Sequence, residues 1–415
     1  MTWNETRLKH LCVDSGQYGL NIAADHYSAT GTRLIRTSDI TTDGSLKDAE
    51  SAVHVDALIE PRHQLLPGDV LLSRSGTLGR SFLVPSQAQG HTFAGFLIRF
   101  RPKPGVDPRF LYYATQSARF QGTVHSEAVA STIQNFNADR YANISMSAPS
   151  REEQRCIADF LDAETARIDK LRGLRQRQLN LVRENLTARA AELTGRVRIR
   201  EERGSAFTVQ LRRALESTQT GLTPPSLHHM NDGGQTESQL PWYTPAALDE
   251  WLTLSPADKA TSAAAGIPLF QGGSVLITGI GESLGKVAYL DHTATGNQQL
   301  TALKPARMVN AKFIAWQLWS AKSEIREWAQ YSRIRIIKND TLKAFPTYLP
   351  SRRVQDSVAG ALDVHLTRVR ALHAATENFE KLAVERRQAL ITAAVTGQFD
   401  VSTASGRNVT EGVHA

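Results

Sequence analysis

The chain has 415 residues, a formal net charge of +7 and two cysteines. That length allows two modules that each bury a core, with a spacer between them; no apolar run reaches the roughly 18 residues of a membrane span, and the acid-bearing start Met1-Thr2-Trp3-Asn4-Glu5 argues against export. Cys12 and Cys156 stand apart without a CxxC or Cys/His cluster, which argues against a metal or disulfide framework and fits reduced thiols in a cytoplasm.

In chain order, the first recognisable unit is a hairpin. Gly68-Asp69-Val70-Leu71-Leu72-Ser73 and Arg80-Ser81-Phe82-Leu83-Val84 are apolar, β-prone runs on either side of the turn Ser75-Gly76-Thr77-Leu78-Gly79. A further strand, Phe96-Leu97-Ile98-Arg99-Phe100, leads to a short helix with Asp107 at its N-cap and Pro108 in its first turn. The polar, β-compatible segment Ser131 to Asn137 closes the module. Pro149-Ser150-Arg151-Glu152-Glu153-Gln154 then opens a long helix, where Ser150 and Glu153 form a capping box. Its apolar residues recur at threes, fours and sevens: Ile157, Leu161, Ile168, Leu171, then Leu181, Leu186 and Leu193. Cys156 is expected beside this stripe as a small buried residue. The same helix carries a run of cations, Arg167, Lys170, Arg172, Arg175, Arg177 and Arg183, although acids nearly balance the cations over the helix as a whole, and both globular stretches read close to neutral.

After a charged link, Arg196 to Ser205, the pattern returns. Ser274-Val275-Leu276-Ile277-Thr278 and Lys286-Val287-Ala288-Tyr289-Leu290 flank a turn with Gly279, Gly281 and Gly285, so both turns end in glycine followed by a cation, Arg80 or Lys286. Asn310 caps a helix from Lys312 to Trp319, and Ser332 to Asn339 closes the second module. The opening of this copy, from Leu222 to Tyr243, matches the first only loosely. Pro350-Ser351-Arg352-Arg353-Val354-Gln355 opens a second long helix with the stripe Val358, Leu362, Val369, Leu372, Phe379, Leu382 and Ala389; Val354 leaves its capping box incomplete. Two striped helices of about 40 residues, each reaching about 60 Å, are natural antiparallel coiled-coil partners. The reading is α+β with a pseudo-two-fold internal repeat: modules over 1–149 and 196–349, long helices over 150–195 and 350–400, and a disordered tail over 401–415.

These residues resemble the specificity subunits of Type I restriction-modification systems. The resemblance rests on the two Pro-x-x-x-x-Gln helix openings, on Phe160-Leu161-Asp162, on the closing run Glu385 to Gln398 and on the duplicated strand-rich module, and it spans Arg7 to about Val401. It implies two tandem target-recognition domains, each reading one half of a bipartite double-stranded DNA site. The paired helices would set the spacing and dock two methyltransferase subunits, with Ile157, Leu161, Ile168, Leu171, Val358, Leu362, Val369 and Leu372 as the pairing and docking stripe. Restriction and translocase subunits would complete the assembly. It implies no catalytic centre, no metal and no cofactor on this chain, with S-adenosylmethionine, ATP and magnesium on the partner subunits. If the helices act as a ruler, a four-residue insertion between Leu186 and Leu193 lengthens the unread gap.

Base reading calls for Arg or Lys at guanine edges and Asn or Gln at adenine edges. The turns and closing segments offer Arg74, Thr77, Arg80, Gln134 and Asn135 in the first module, and Lys286, Arg333, Arg335 and Lys338 in the second. Catalytic motifs fail on spacing. Gly281 to Lys286 is too short for a phosphate loop and is followed by Val287 where Ser or Thr is needed, and Gly279, Gly281 and Gly285 are too widely spaced for a dinucleotide fingerprint. His228-His229 reads as a surface loop without ligand partners. Two other readings stay open: a coiled-coil adaptor that organises proteins without touching DNA, and a self-sufficient methyltransferase or nuclease.

Overall fold

The computed structural model describes residues 3–41, 44–47, 50, 52–129, 135–201, 208–224, 227–229, 239–262, 266–331 and 333–401. The tail beyond Val401 and residues 202–207 lie outside the described residues, while the first part of the expected link, Arg196–Glu201, is a short helix. The chain divides into two compact units, Met1–Leu174 with Asn378–Ala415, and Arg175–Glu377. Each holds one strand-rich head with a portion of both long helices, which run unbroken over Arg151–Leu193 and Arg352–Val395.

In the first unit a four-stranded antiparallel sheet has the order Gln17–Tyr18, Leu97–Phe100, Val70–Ser73, Ser81–Leu83. The central run Val70-Leu71-Leu72 is apolar throughout because both faces are covered. Val70 and Leu72 join a core with Phe110, Leu111 and Tyr141, while Leu71 faces a second core with Ile35, Phe82 and Phe93. A small sheet places Thr32–Ile35 between Val53–Val55, antiparallel, and Thr92–Phe93, parallel. Asn4–Arg7 pairs with Ser145–Ala148 at the entrance to the first long helix.

The second unit repeats these sheets and adds strands of its own, among them Gln330–Tyr331 paired with Arg335–Ile336. Its sheet runs Leu215–Thr220, Leu300–Pro305, Ser274–Thr278, Val287–Leu290, and Val275 and Ile277 face one core while Leu276 faces another. Gln239–Tyr243 lies between Lys259–Ser262, antiparallel, and Thr295–Gly296, parallel, and Thr208–Gln210 pairs with Pro346–Tyr348. His228–His229, read from sequence as a loop, is a short strand paired with Lys259 and Ala260.

The Pro-x-x-x-x-Gln openings have a concrete purpose. Gln154 donates to the Pro149 carbonyl at 2.9 Å and accepts from the Asp107 N–H at 2.9 Å; Gln355 does the same with Pro350 at 2.8 Å and Asn310 at 2.8 Å. One buried amide thereby ties the start of a long helix to the cap of the head's short helix, and removing it would leave backbone groups unpaired at about 1–3 kcal/mol each. Asp107 and Asn310 cap as expected, and Ser150 with Glu153 closes its box at 2.8 and 3.3 Å.

A second tie lies two turns on. The Asp162 carboxylate accepts from the Tyr113 hydroxyl and from Arg109, each at 2.7 Å; Asp363 accepts from Trp316 Nε1 at 2.9 Å and Lys312 at 2.6 Å. Burial opposes the charge on Arg109, but Asp159, Asp107 and Asp162 outweigh it and raise its pKa. Burial also pushes the Tyr113 phenol above its ordinary value, so it remains a donor.

The helices pack antiparallel within each unit. Ile157, Leu161 and Ile168 share a core with Ala383, Leu390, Ile391 and Val395, and Arg172 reaches Glu380 at 2.7 Å. In the other unit Leu186 and Ala190 share a core with Leu362, Leu366 and Val369, and Val358 packs against it. Leu372 is half-buried. The stripe departs from expectation at Leu171, Leu181 and Leu382, which are 45%, 65% and 63% exposed. At about 100° per residue Leu179 returns to the face of Ile168 while Leu181 lies nearly opposite, so the seam takes Leu179 instead. Cys156 is likewise exposed rather than buried; Cys12 is the buried thiol, pushed up to about 12 by burial. Among the described residues no helix is long and apolar enough to cross a membrane.

Candidate nucleic-acid interface

Each hairpin is closed by a hydroxyl. Ser73 Oγ donates to the Thr77 carbonyl and accepts from the Arg80 N–H at 3.0 Å; Thr278 Oγ1 donates to the Ser283 carbonyl and accepts from the Lys286 N–H at 2.9 Å. The cations that follow turn inward onto the head. Arg80 donates to the Ile40 carbonyl at 2.6 Å and to Thr77 Oγ1 at 3.3 Å. Lys286 donates to the Leu248 carbonyl at 3.2 Å and lies 3.4 Å from Glu250. Both thus fasten a loop after a short 3-10 turn, Thr37–Asp39 or Pro245–Ala247. Sequence alone does not reveal this, because the accepting carbonyls are remote along the chain.

Arg74 faces a different environment. Its N–H donates to the Phe96 carbonyl at 2.9 Å and its own carbonyl accepts from Phe136 N–H at 2.9 Å, so its backbone is held on both sides. Its guanidinium lies 4.8 Å from the Tyr18 ring centroid, and Nε donates to Asn135 Oδ1 at 3.1 Å. Tyr18 is itself fixed, accepting from the Ala138 N–H at 2.9 Å. Phe96 is 62% exposed beside them. Gln134 lies outside the described residues.

The second head keeps the frame and changes its occupants. Gly279 donates to the Gln299 carbonyl at 2.8 Å and accepts from Ile337 N–H at 3.0 Å, as Arg74 does with Phe96 and Phe136. Thr220 takes the place of Tyr18, and its hydroxyl accepts from Asn339 at 2.9 Å. Ile336 takes the place of Asn135 and is 39% exposed, beside Ile334 at 52%. Arg333 and Lys338 are exposed, whereas half-buried Arg335 donates to the Arg326 carbonyl at 3.0 Å.

Tyr18 and Thr220 escaped the sequence reading, although a signal was there: Gln17-Tyr18-Gly19-Leu20 and Gln219-Thr220-Gly221-Leu222 are one motif written twice. Its glycine is dictated by space. A Cβ on Gly19 would lie 2.3 Å from the Phe93 carbonyl oxygen, and one on Gly221 2.2 Å from that of Gly296.

The second head also has a clasp that the repeat pattern does not announce. Asp249 Oδ1 accepts from the Trp251 and Thr253 N–H groups at 2.7 and 2.8 Å, and Leu252 takes a left-handed φ of 59°. Arg183 sits 4.8 Å from the Trp251 ring, His373 meets its edge at 5.7 Å, and Arg370 donates to the Trp251 carbonyl. Two helix cations and one histidine thereby hold this loop on the helices of its own unit.

Residues 5–179 match the family of the Type I restriction modification DNA specificity domain. Over 162 residues, 38% of this chain, the sequence is 23% identical to the Type I restriction enzyme StySPI specificity subunit of Salmonella potsdam; the match spans about a third (34%) of that relative's length. Among solved structures, a chain from work on complex assembly and conformational transition of the type I R-M system aligns with a TM-score of 0.75 at 19% identity, covering 96% of this chain and 98% of that one. The HsdS subunit from Thermoanaerobacter tengcongensis aligns with a TM-score of 0.55, also at 19% identity, covering 96% and 97%. At such identities the two structures speak for a shared fold.

Proposed function

We propose, on the premise that the chain belongs to the Type I restriction-modification specificity family, that its two heads read the two halves of a bipartite DNA site. The observation that supports this most directly is the pair of matched frames with unlike side chains: Tyr18, Arg74 and Asn135 in one head, Thr220, Gly279 and Ile336 in the other. Two readers of different sequences need the same scaffold and different edges. The other candidate contacts are Thr77, Gln134, Arg333, Arg335 and Lys338, with Arg80 and Lys286 acting mainly by shaping the loops they fasten.

The chain supplies recognition and carries no chemistry of its own in this reading. Methylation and ATP-driven cleavage belong to methyltransferase and restriction subunits, which bring S-adenosylmethionine, ATP and magnesium. Two methyltransferase subunits dock along the long helices, whose exposed Leu171, Leu174 and Leu181 offer apolar contact. The assembly works in the cytoplasm.

The test is binding of the chain, assembled with its methyltransferase partners, to a library of duplexes at several salt concentrations. Selection of two separated blocks of sequence, with affinity falling as salt rises, is the expected result. Absence of any sequence preference would favour the adaptor reading.

A further inference from the structure

We propose that Arg74 reads a guanine in the half-site bound by the first head, and that the second head has no counterpart of this contact. The assignment rests on the DNA-reading role above and adds to it a base, a residue and an asymmetry.

Guanine presents two acceptors, O6 and N7, on its major-groove edge, and a planar guanidinium matches both at once with two N–H donors. Such a match requires the fork to be aimed. At Arg74 the aim is built in: both backbone groups are bonded, the guanidinium rests on the Tyr18 ring, and Nε is taken by Asn135. Holding Nε leaves Nη1 and Nη2, which have no partner among the described residues, as the two prongs. The Tyr18 ring, its centroid 4.8 Å from the guanidinium carbon, holds the guanidinium without consuming a donor. A phosphate contact needs none of this, since a mobile chain reaches an oxygen equally well.

The contrast with Gly279 strengthens the point. A Cβ there would meet nothing closer than 3.6 Å, the Ile337 carbonyl oxygen, so the frame does not demand glycine. Both partners of the arginine are absent too, since Thr220 has no ring and Ile336 no amide. The three changes together remove one contact and leave the scaffold intact.

The experiment compares wild type, Arg74→Ala and Arg74→Lys, each assembled with the methyltransferase subunits, on duplexes altered one base pair at a time. Wild type is expected to lose about 10- to 100-fold in affinity when one particular G·C pair of one half-site is replaced. Arg74→Ala should bind all four bases at that position alike, and Arg74→Lys, whose single ammonium can reach O6 and N7 but lacks the fork, should keep only a reduced preference for guanine. Both should keep their preferences elsewhere and melt at the wild-type temperature. A uniform loss over all sequences with a salt slope reduced by about one would overturn the assignment and make Arg74 a phosphate contact. Unchanged preferences, or a lowered melting temperature with preferences intact, would overturn it as well. A wild-type complex without sequence preference would instead bring down the DNA-reading role itself.

Discussion

Lengthening both long helices by four residues, after Gln176 and after Glu377, is expected to widen the unread gap of the DNA site by about two base pairs while both read blocks stay the same. Each helix passes from one unit to the other without a break, at Leu174 to Arg175 and at Glu377 to Asn378. Four residues add about 6 Å at 1.5 Å each, against about 3.4 Å per base pair. The location matters. An insertion between Leu186 and Leu193, which the apolar stripe alone would suggest, falls where Leu186 and Ala190 are buried in the second head's core. Arg175, Gln176, Arg177, Glu377 and Asn378 are exposed instead, so added turns there fall outside the buried core of either head. Selection of bound sequences from a randomised library measures the gap directly; an unchanged gap in a well-folded variant removes the ruler from the account.

Gly19→Val is expected to destabilise the first unit by about 3 kcal/mol, the upper range for forcing atoms into a packed site. The new Cβ would sit 2.3 and 2.4 Å from the Phe93 and Ala94 carbonyl oxygens, which belong to backbone that cannot swing aside. Gly122 provides the control. It lies within the helix Ala118–Val129, and a Cβ there meets nothing within 4 Å. Gly122→Ala should therefore stabilise by about 0.4–1 kcal/mol. Thermal unfolding followed by calorimetry distinguishes them, and equal melting of Gly19→Val and wild type would show that the strands at Gly19 approach less closely than described.

Much of this architecture is written in local patterns. Apolar runs at Val70 and Val275, caps at Asp107 and Asn310, and the duplicated Pro-x-x-x-x-Gln openings are short-range signals, and each names an element the structure contains. The long-range partners of those residues are not local, so the purpose of Gln154 or Asp162 emerges only when a head's short helix is seen against the long one. The reading surface was less legible for the same reason. Arg80 and Lys286 look like free cations until Ile40 and Leu248 bring their carbonyls from distant turns. Cys156 and Leu181 were misplaced because a helical stripe read at mixed spacings of three, four and seven drifts around the cylinder, and only the partner helix fixes which edge is covered. Tyr18 and Thr220 were hidden by their difference from one another, although the flanking Gln and Gly-Leu repeat.

Exchange of one head tests the central claim most directly. Residues 1–149 would be replaced by the matching segment of a relative with another target, chosen to keep a backbone N–H at the cap for Gln154 and a side-chain donor for Asp162, and the bound sequences of the assembled complex determined. The expected result is a target whose one half changes to the relative's while the other half is retained. A target in which both halves change, or neither, would contradict the account of two independent readers on a shared pair of helices.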